Sequence, residues 1–247
     1  MLNKVGLELL FVFVIVVIGG FIQGASGFGF GLVAMGFLPL FLTLKESTLI
    51  VIALLFVASL SIVRKMYQYI ELKGLLLIIL PAMAGRVFSF FILTAYGDMD
   101  VLKQVLGFFL IGMVIYLLLK KKASPSAEMK LVTPLVLGFL GGFIGGIFAV
   151  GGPFFVFYFL MLYQDKYKYN ANLQVTVVIT SLFTLLLHGL NGDFDVSLFG
   201  YILAGILGVF LGTALGLKWF ENLPAAFIKN LAMIMVLLAA INLILFS

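Results

Sequence analysis

Long apolar segments recur along the entire chain, and this feature restricts its fold more than any other. Of the 247 residues, 64% are hydrophobic and only 10% are charged, whereas soluble domains contain about 45–50% apolar and about 25% charged residues. A helix needs about 20 apolar residues to cross a membrane. The sequence therefore predicts an all-α, polytopic membrane protein, and it excludes a nucleic-acid binder despite the net charge of +5. The apolar segments are 5–22, 30–42, 47–63, 74–96, 101–119, 131–147, 153–163, 173–188, 197–217 and 225–246.

The second and seventh segments are too short to cross a membrane alone. Each follows its predecessor through glycines rather than through charged residues. Segments one and two, and likewise segments six and seven, are therefore predicted to form broken or re-entrant hairpins.

The chain has no cysteine and a single histidine. The lack of cysteine rules out a disulfide framework and a thiolate metal site, and one histidine leaves little scope for a metal centre. We therefore expect neither a cofactor nor a bound metal.

Basic residues are concentrated in the loops of one side. If each hairpin returns to the side on which it starts, ten basic residues lie on one face and only Lys4 and Lys45 on the other. Because the basic residues of short loops stay in the cytoplasm, the sequence predicts that both termini face outward. The ten residues are Arg64, Lys65, Lys73, Lys120, Lys121, Lys122, Lys130, Lys166, Lys168 and Lys218.

An internal repeat has a spacing close to half the chain. Residues 20–24 align with residues 142–146, which lie 122 positions later. Five segments per half is an odd number, so the sequence predicts two inverted repeats, 1–122 and 123–247, within one membrane domain. Such repeats with broken helices are typical of secondary transporters, although channels also use this architecture. Further aligned pairs are Gly29 with Gly151, Gly85 with Gly212, and Lys103 with Lys229.

Two glycine-rich stretches, 24–31 and 145–152, occupy matching places in the repeats. Such stretches are unfavourable inside a helix, because each glycine in a helix interior costs ~1 kcal/mol relative to alanine. Unwound backbone at membrane depth is tolerated only where it is buried or lines a wet cavity, and its N–H groups attract anions. We therefore predict a substrate site at these loops. The alternative is close helix packing, which we expect for Gly138, Gly142 and Gly146 and for the stripe Gly200, Ala204, Gly208, Gly212 and Gly216.

The paired glycine-rich hairpins, the repeat and the lysine-bearing central loop together resemble the TauE/SafE sulfite exporter family over nearly the whole chain. The resemblance implies a protein of the bacterial or archaeal inner membrane that moves small sulfur-containing anions, such as sulfite, sulfoacetate or related organosulfonates. It also implies that the loop glycines bind the substrate, namely Gly24, Gly27, Gly29, Gly146, Gly151 and Gly152.

Polar side chains within the apolar segments extend this predicted site. Arg86 lies near mid-depth in the fourth segment, where a central arginine costs ~2.5–3.5 kcal/mol on insertion. A planar guanidinium suits a sulfite or sulfonate group; the alternative is that Arg86 binds carbonyl groups at a helix end. Gln23 and Ser26 can donate hydrogen bonds to an oxyanion or to such carbonyls. His188, with an ordinary pKa near 6.5, can carry a coupling proton or cap its helix.

The predicted function is a secondary transporter that exports a small sulfur-containing anion by alternating access. An anion channel of the same fold is the main alternative. A third possibility is an intramembrane serine protease, in which Ser26 of the sequence Gly-Ala-Ser-Gly acts with His188. The matching loop carries Phe148 in place of the serine, so we expect no enzymatic activity. The expected partners are the anion, protons and membrane lipid, and the small-residue stripes would permit a homodimer.

Overall fold

The computed structural model describes residues 2–119 and 131–220, together with residues 234, 236, 237, 240, 241 and 243–245. This part of the chain forms nine α-helices and contains no β-strand. The helices are α1 (Leu2–Ser26), α2 (Phe30–Phe37), α3 (Leu44–Met66), α4 (Leu72–Tyr96), α5 (Asp100–Leu119), α6 (Val132–Phe148), α7 (Gly152–Leu162), α8 (Lys166–Leu190) and α9 (Val196–Trp219).

The predicted all-α architecture is confirmed for the described residues. Five of their helices are long and apolar enough to cross a membrane: Gly6–Ser26, Leu44–Tyr69, Gly74–Tyr96, Lys166–Leu190 and Val196–Trp219. Each of the first nine predicted segments corresponds to one helix, although α8 begins at Lys166 rather than at residue 173. Most of the tenth segment, the lysine-bearing central loop at 120–126, which we interpret as the linker between the two repeats, and Lys229 lie outside the described residues.

Polar caps fix the ends of several helices. The hydroxyl of Thr43 accepts a hydrogen bond from the backbone N–H of Glu46, and the Glu46 carboxylate accepts one from the backbone N–H of Thr43. This reciprocal pair satisfies two N–H groups at the start of α3. The side chains of Asp165 and Asp195 accept hydrogen bonds from backbone N–H groups at the starts of α8 and α9, without a reciprocal bond. The caps place the ends of these helices in polar loops, where the backbone can be hydrated.

Glycines set the two closest helix pairs, α1 with α9 and α4 with α6. A Cβ atom added at Gly24 would lie 2.6 Å from the carbonyl oxygen of Thr213 in α9. A Cβ atom added at Gly138 would lie 2.6 Å from the carbonyl oxygen of Ile78 in α4. Small residues let helix backbones approach in this way inside a membrane. Gly208, Gly212 and Gly216 of the predicted α9 stripe pack against α1, but within the described part of the chain no atom lies within 4 Å of a Cβ added at Gly200.

One face of α8 is polar and completely buried along its length. Its members are four residues apart, so they lie above one another on the helix. Each of the three threonines donates its hydroxyl to the carbonyl oxygen one turn earlier in the same helix. The face therefore brings polar groups into the interior without leaving these three hydroxyls unpaired. Its residues are Asn172, Thr176, Thr180, Thr184 and His188.

Candidate functional site

The first helix break separates α1 from α2 at residues 27–29. Gly27 and Gly29 adopt φ angles of 82° and 111°, a region that favours glycine because it has no Cβ atom. A Cβ atom at Gly27 would also lie 2.7 Å from the side-chain oxygen of Asn170. The break is shorter than the predicted loop, because α1 continues through Gly24 to Ser26.

The second break separates α6 from α7 at residues 149–151. Ala149 has a φ of 54°, which is uncommon for a residue with a Cβ atom. Pro153 lies in the first turn of α7, where its missing N–H costs no helical hydrogen bond. Here too the predicted loop is longer than the break, since α6 includes Gly145 and Gly146.

The two breaks meet in the interior of the protein. Gly31, in the first turn of α2, lies so close to the carbonyl oxygen of Ala149 that an added Cβ atom would overlap it. Between the breaks lies a cavity of about 30 Å³, which is the space of about one water molecule. Six predicted site residues line it: Gln23, Gly27, Gly29, Arg86, Gly151 and Gly152. The sequence thus identified residues from α1, α4 and both breaks that converge on one cavity.

Two buried glutamines hold the first break in place. The side-chain amide of Gln23 donates to the side-chain oxygen of Gln174 at 3.1 Å, and its own oxygen accepts from the backbone N–H of Phe30 at 3.3 Å. Gln174 donates to the carbonyl oxygen of Gly27 at 2.6 Å and to the side-chain oxygen of Asn170 at 2.8 Å. Gln23 therefore caps the start of α2, and α8 fixes the unwound backbone.

Arg86 reaches from α4 to the end of α6. Its Nη1 donates to the carbonyl oxygen of Gly145 at 2.6 Å, which is the helix-end contact considered as the alternative role. Its side chain also lines the cavity and is only 4% exposed, and its buried Nε has no hydrogen-bond partner in the part of the chain that the structure describes. No ion pair of Arg86 occurs among the described residues. The guanidinium is thus a buried cation at the edge of the cavity, and its Nε donor has no partner among the described residues.

The three remaining loop residues predicted to bind substrate do not line the cavity. Gly24 packs against Thr213 in α9, and Gly146 packs against Ser89 in α4. The hydroxyl of Ser26 lies 2.7 Å from the carbonyl oxygen of Ile22 and 2.6 Å from that of Phe28. In the structure these residues shape the helices that present the breaks.

His188 lies at the far end of α8 and is fully buried. Its Nδ1 is 2.6 Å from Asp193 Oδ2, and Lys45 Nζ donates to Asp193 Oδ1 at 2.8 Å. Partial burial alone would raise the pKa of the Asp193 carboxyl, but hydrogen bonds from Lys45, His188 and Asn191 outweigh it and lower that pKa. No hydrogen bond joins His188 to Ser26 among the described residues, so the pair required by the protease alternative is not brought together.

Sequence reasoning missed Gln174, Asn170 and the contact of Asp193 with Lys45. The available signal was the pair of amide residues Asn170 and Gln174, which are four positions apart. We interpreted the residues before position 173 as a polar break ahead of the eighth segment, whereas α8 begins at Lys166 and includes Asn170.

Comparison with known proteins gives a match to one family. The family described as Sulfite exporter TauE/SafE matches residues 12–243 of the 247-residue chain. No curated protein and no solved structure matches the chain. The match includes both helix breaks, Arg86 and the polar face of α8. The chain therefore belongs to the TauE/SafE sulfite exporter family.

Proposed function

We propose that this membrane protein is a secondary transporter that exports a small sulfur-containing anion, such as sulfite, sulfoacetate or a similar organosulfonate, by alternating access. Membership of the TauE/SafE family supports a membrane transporter of sulfur anions. The main observation in favour of the proposed site concerns Arg86. This buried cation lies at a cavity between two broken helices, and its Nε has no hydrogen-bond partner among the described residues.

The chemistry of the cavity favours an anion. An arginine inside a membrane protein is costly unless a charge or several hydrogen bonds compensate it, and Gly145 supplies one carbonyl oxygen. A sulfite or sulfonate group offers several oxygen atoms and a negative charge to the remaining donors. Helices α2 and α7 both begin at the cavity, and the positive end of each helix dipole adds to the attraction. Gln23 orients the first of these helix ends.

Binding requires the cavity to widen. Its volume of about 30 Å³ corresponds to about one water molecule, and a sulfonate group with three oxygens is larger than that. The two breaks also pack tightly against each other, since a Cβ atom added at Gly31 would overlap the carbonyl oxygen of Ala149. In the proposed cycle the two breaks move apart to admit the anion and come together again behind it. The path is therefore never open to both sides of the membrane at once.

Matching contacts in the two halves support the proposed inverted repeat. A Cβ atom at Gly212 would meet the carbonyl oxygen of residue 17, the nitrogen of residue 21 and the carbonyl carbon of residue 20. A Cβ atom at Gly85 would meet the same three atoms of residues 139, 143 and 142. These two sets are related by the offsets of 127 and 122 positions found in the sequence. We infer that α1 and α9 repeat the packing of α6 and α4.

The proposed orientation places the lysine-rich ends of the helices in the cytoplasm. Arg64 and Lys65 end α3, Lys166 and Lys168 begin α8, and Lys218 lies in the last turn of α9. By the rule that basic loops stay inside, both termini face outward, and membership of the family suggests a bacterial or archaeal inner membrane. Lys45 and His188 then lie at the outward end.

Anion binding tests the site directly. Purified protein is heated with sulfite, sulfoacetate, taurine, thiosulfate, sulfate or acetate, because a ligand that binds only the folded state raises the melting temperature. We expect selective stabilisation by a sulfur anion in the wild type, and its loss in Arg86→Gln. Arg64→Gln is the matched control, since Arg64 is exposed at the end of α3. An Arg86→Gln protein that responds like the wild type would contradict the proposed site.

An anion channel of the same fold is the closest rival. Flux through a channel needs no conformational cycle for each ion, so anion on the opposite side of the membrane does not accelerate it, whereas alternating access limits each turnover to one binding event and allows such exchange. Flux that saturates with anion concentration, and that is accelerated by anion on the opposite side of the membrane, would favour the transporter.

A further inference from the structure

His188 and its neighbours form a buried titratable cluster beyond the cavity. Asp193 contacts His188 through one carboxylate oxygen and Lys45 through the other. Asn191 also donates to Asp193, at 3.0 Å. The cluster joins the start of α3, the end of α8 and the turn before α9.

The hydrogen bonds determine which nitrogen of His188 is free. Asp193 accepts from Lys45 and is ionised, so its other oxygen accepts a hydrogen bond from His188 Nδ1. In the neutral ring this leaves Nε2 as a base with a lone pair. His188 Nε2 is buried and has no hydrogen-bond partner among the residues that the structure describes. A buried imidazole nitrogen without a partner is unusual. Protonation would turn Nε2 into a donor that can give a hydrogen bond to an anion.

The position of His188 relates it to the candidate anion site. Its ring lies 4.9 Å from the ring of Phe90 in α4, and Arg86 precedes Phe90 by one helical turn on the same face. Both Arg86 and Lys45 act on His188 as positive charges, and Asp193 acts on it as a negative charge. An anion that neutralises Arg86 therefore favours the protonated form of His188, since it removes one of the two repelling charges.

We propose that His188 takes up a proton when the anion binds, so that anion and proton occupy the protein together and leave it together. This inference rests on the proposed function and adds the coupling ion to it. Asp193 holds the imidazole and stabilises its charged form, while Lys45 keeps Asp193 ionised. The proton enters from the outward end, because the side chains of Lys45 and Asp193 are 19% and 6% exposed there, whereas that of His188 is fully buried.

The measurement is the number of protons taken up per anion bound, obtained by calorimetry of the purified protein in two buffers with different enthalpies of ionisation. One probe is sulfoacetate, whose acidic groups stay ionised from about pH 6 to 9. The other is sulfite, whose own protonation is subtracted from a titration without protein. We expect proton uptake in the wild type. The affinity for sulfoacetate should then fall by up to about tenfold for each unit by which the pH rises, over the pH range in which His188 is the group that changes protonation.

Three variants separate coupling from folding. His188→Gln places a neutral amide where the imidazole was. We expect this variant to bind the anion with no proton uptake and with an affinity that does not depend on pH. Asp193→Asn is expected to take up the proton only at lower pH, because the charged imidazole loses its counter-ion. Thr184→Val is the matched control one turn earlier on the same face; it removes a hydroxyl that donates to Thr180 and leaves proton uptake unchanged.

The outcomes distinguish the two proposals. Anion binding without proton uptake, or uptake that persists in His188→Gln, overturns the coupling role of His188 and leaves the transporter proposal intact. Failure of both probes to bind at any pH overturns both proposals. A loss of uptake in Thr184→Val equal to that in His188→Gln also overturns the assignment, because it would point to a general disturbance of α8.

Discussion

Replacing Gly212 by alanine tests whether backbone contact between α1 and α9 holds the bundle together. The added Cβ atom would overlap the carbonyl oxygen of Val17 and lie 2.9 Å from the nitrogen of Phe21. Both are backbone atoms, so the helices must separate instead of a side chain turning away. Overpacking of this kind costs about 1–3 kcal/mol. Gly200 lies in the same helix, and no atom of the described residues lies within 4 Å of a Cβ added there.

The comparison of Gly212→Ala with Gly200→Ala isolates the contact. Both substitutions gain the higher helix propensity of alanine, ~1 kcal/mol, so the difference in unfolding free energy reflects packing. At about 2–4 °C per kcal/mol for a chain of this size, Gly212→Ala should melt about 2–12 °C below Gly200→Ala. The fluorescence of Trp219, the single tryptophan, reports the transition in detergent. Equal melting temperatures would refute the close approach of α1 and α9.

Two further predictions concern the polar interior and the cluster formed by His188, Asp193 and Lys45. Gln174→Leu leaves the carbonyl oxygen of Gly27 without its donor. We therefore expect the free energy of unfolding, measured by thermal denaturation, to fall by about 1–3 kcal/mol, and anion binding to weaken. Unchanged affinity would show that α8 does not fix the first break. The lowered pKa of Asp193 means that its ionic contacts stabilise the fold above the ordinary carboxyl pKa, and that this contribution disappears as the pH falls through the lowered value. The melting temperatures of wild type and Asp193→Asn should therefore converge in acid, and a constant difference at every pH would contradict this.

The helices and the position of both breaks could be predicted from the sequence. Apolar runs bounded by charge indicate membrane helices, and glycine clusters indicate where these helices are interrupted. The predicted loops were too long by several residues because glycine has two uses in this chain. Gly27 and Gly29 provide positive φ angles, whereas Gly24 and Gly146 stay helical and admit a neighbouring helix. Composition alone does not separate these uses, since the difference lies in the partner helix.

The candidate site was predicted in part for a similar reason. Arg86 stands out in the sequence because a charge within an apolar segment must be compensated. Its partner, Gly145, lies 59 positions away, and only the packing of α4 on α6 brings them together. Gln174 escaped notice because a polar residue near a segment end usually marks the membrane surface. Here α8 extends beyond its apolar stretch, and the amides of Asn170 and Gln174 turn inward to the first break.

Counterflow in proteoliposomes asks whether Arg86 binds an anion that alternating access carries across the membrane. Labelled sulfite is added outside vesicles that contain unlabelled sulfite, and its uptake is followed for the wild type, Arg86→Gln and Arg64→Gln. We expect saturable uptake, accelerated by internal sulfite, in the wild type and Arg64→Gln, and uptake at the level of empty vesicles in Arg86→Gln. Uptake by Arg86→Gln at the wild-type rate would contradict this, as would uptake that neither saturates nor responds to internal sulfite.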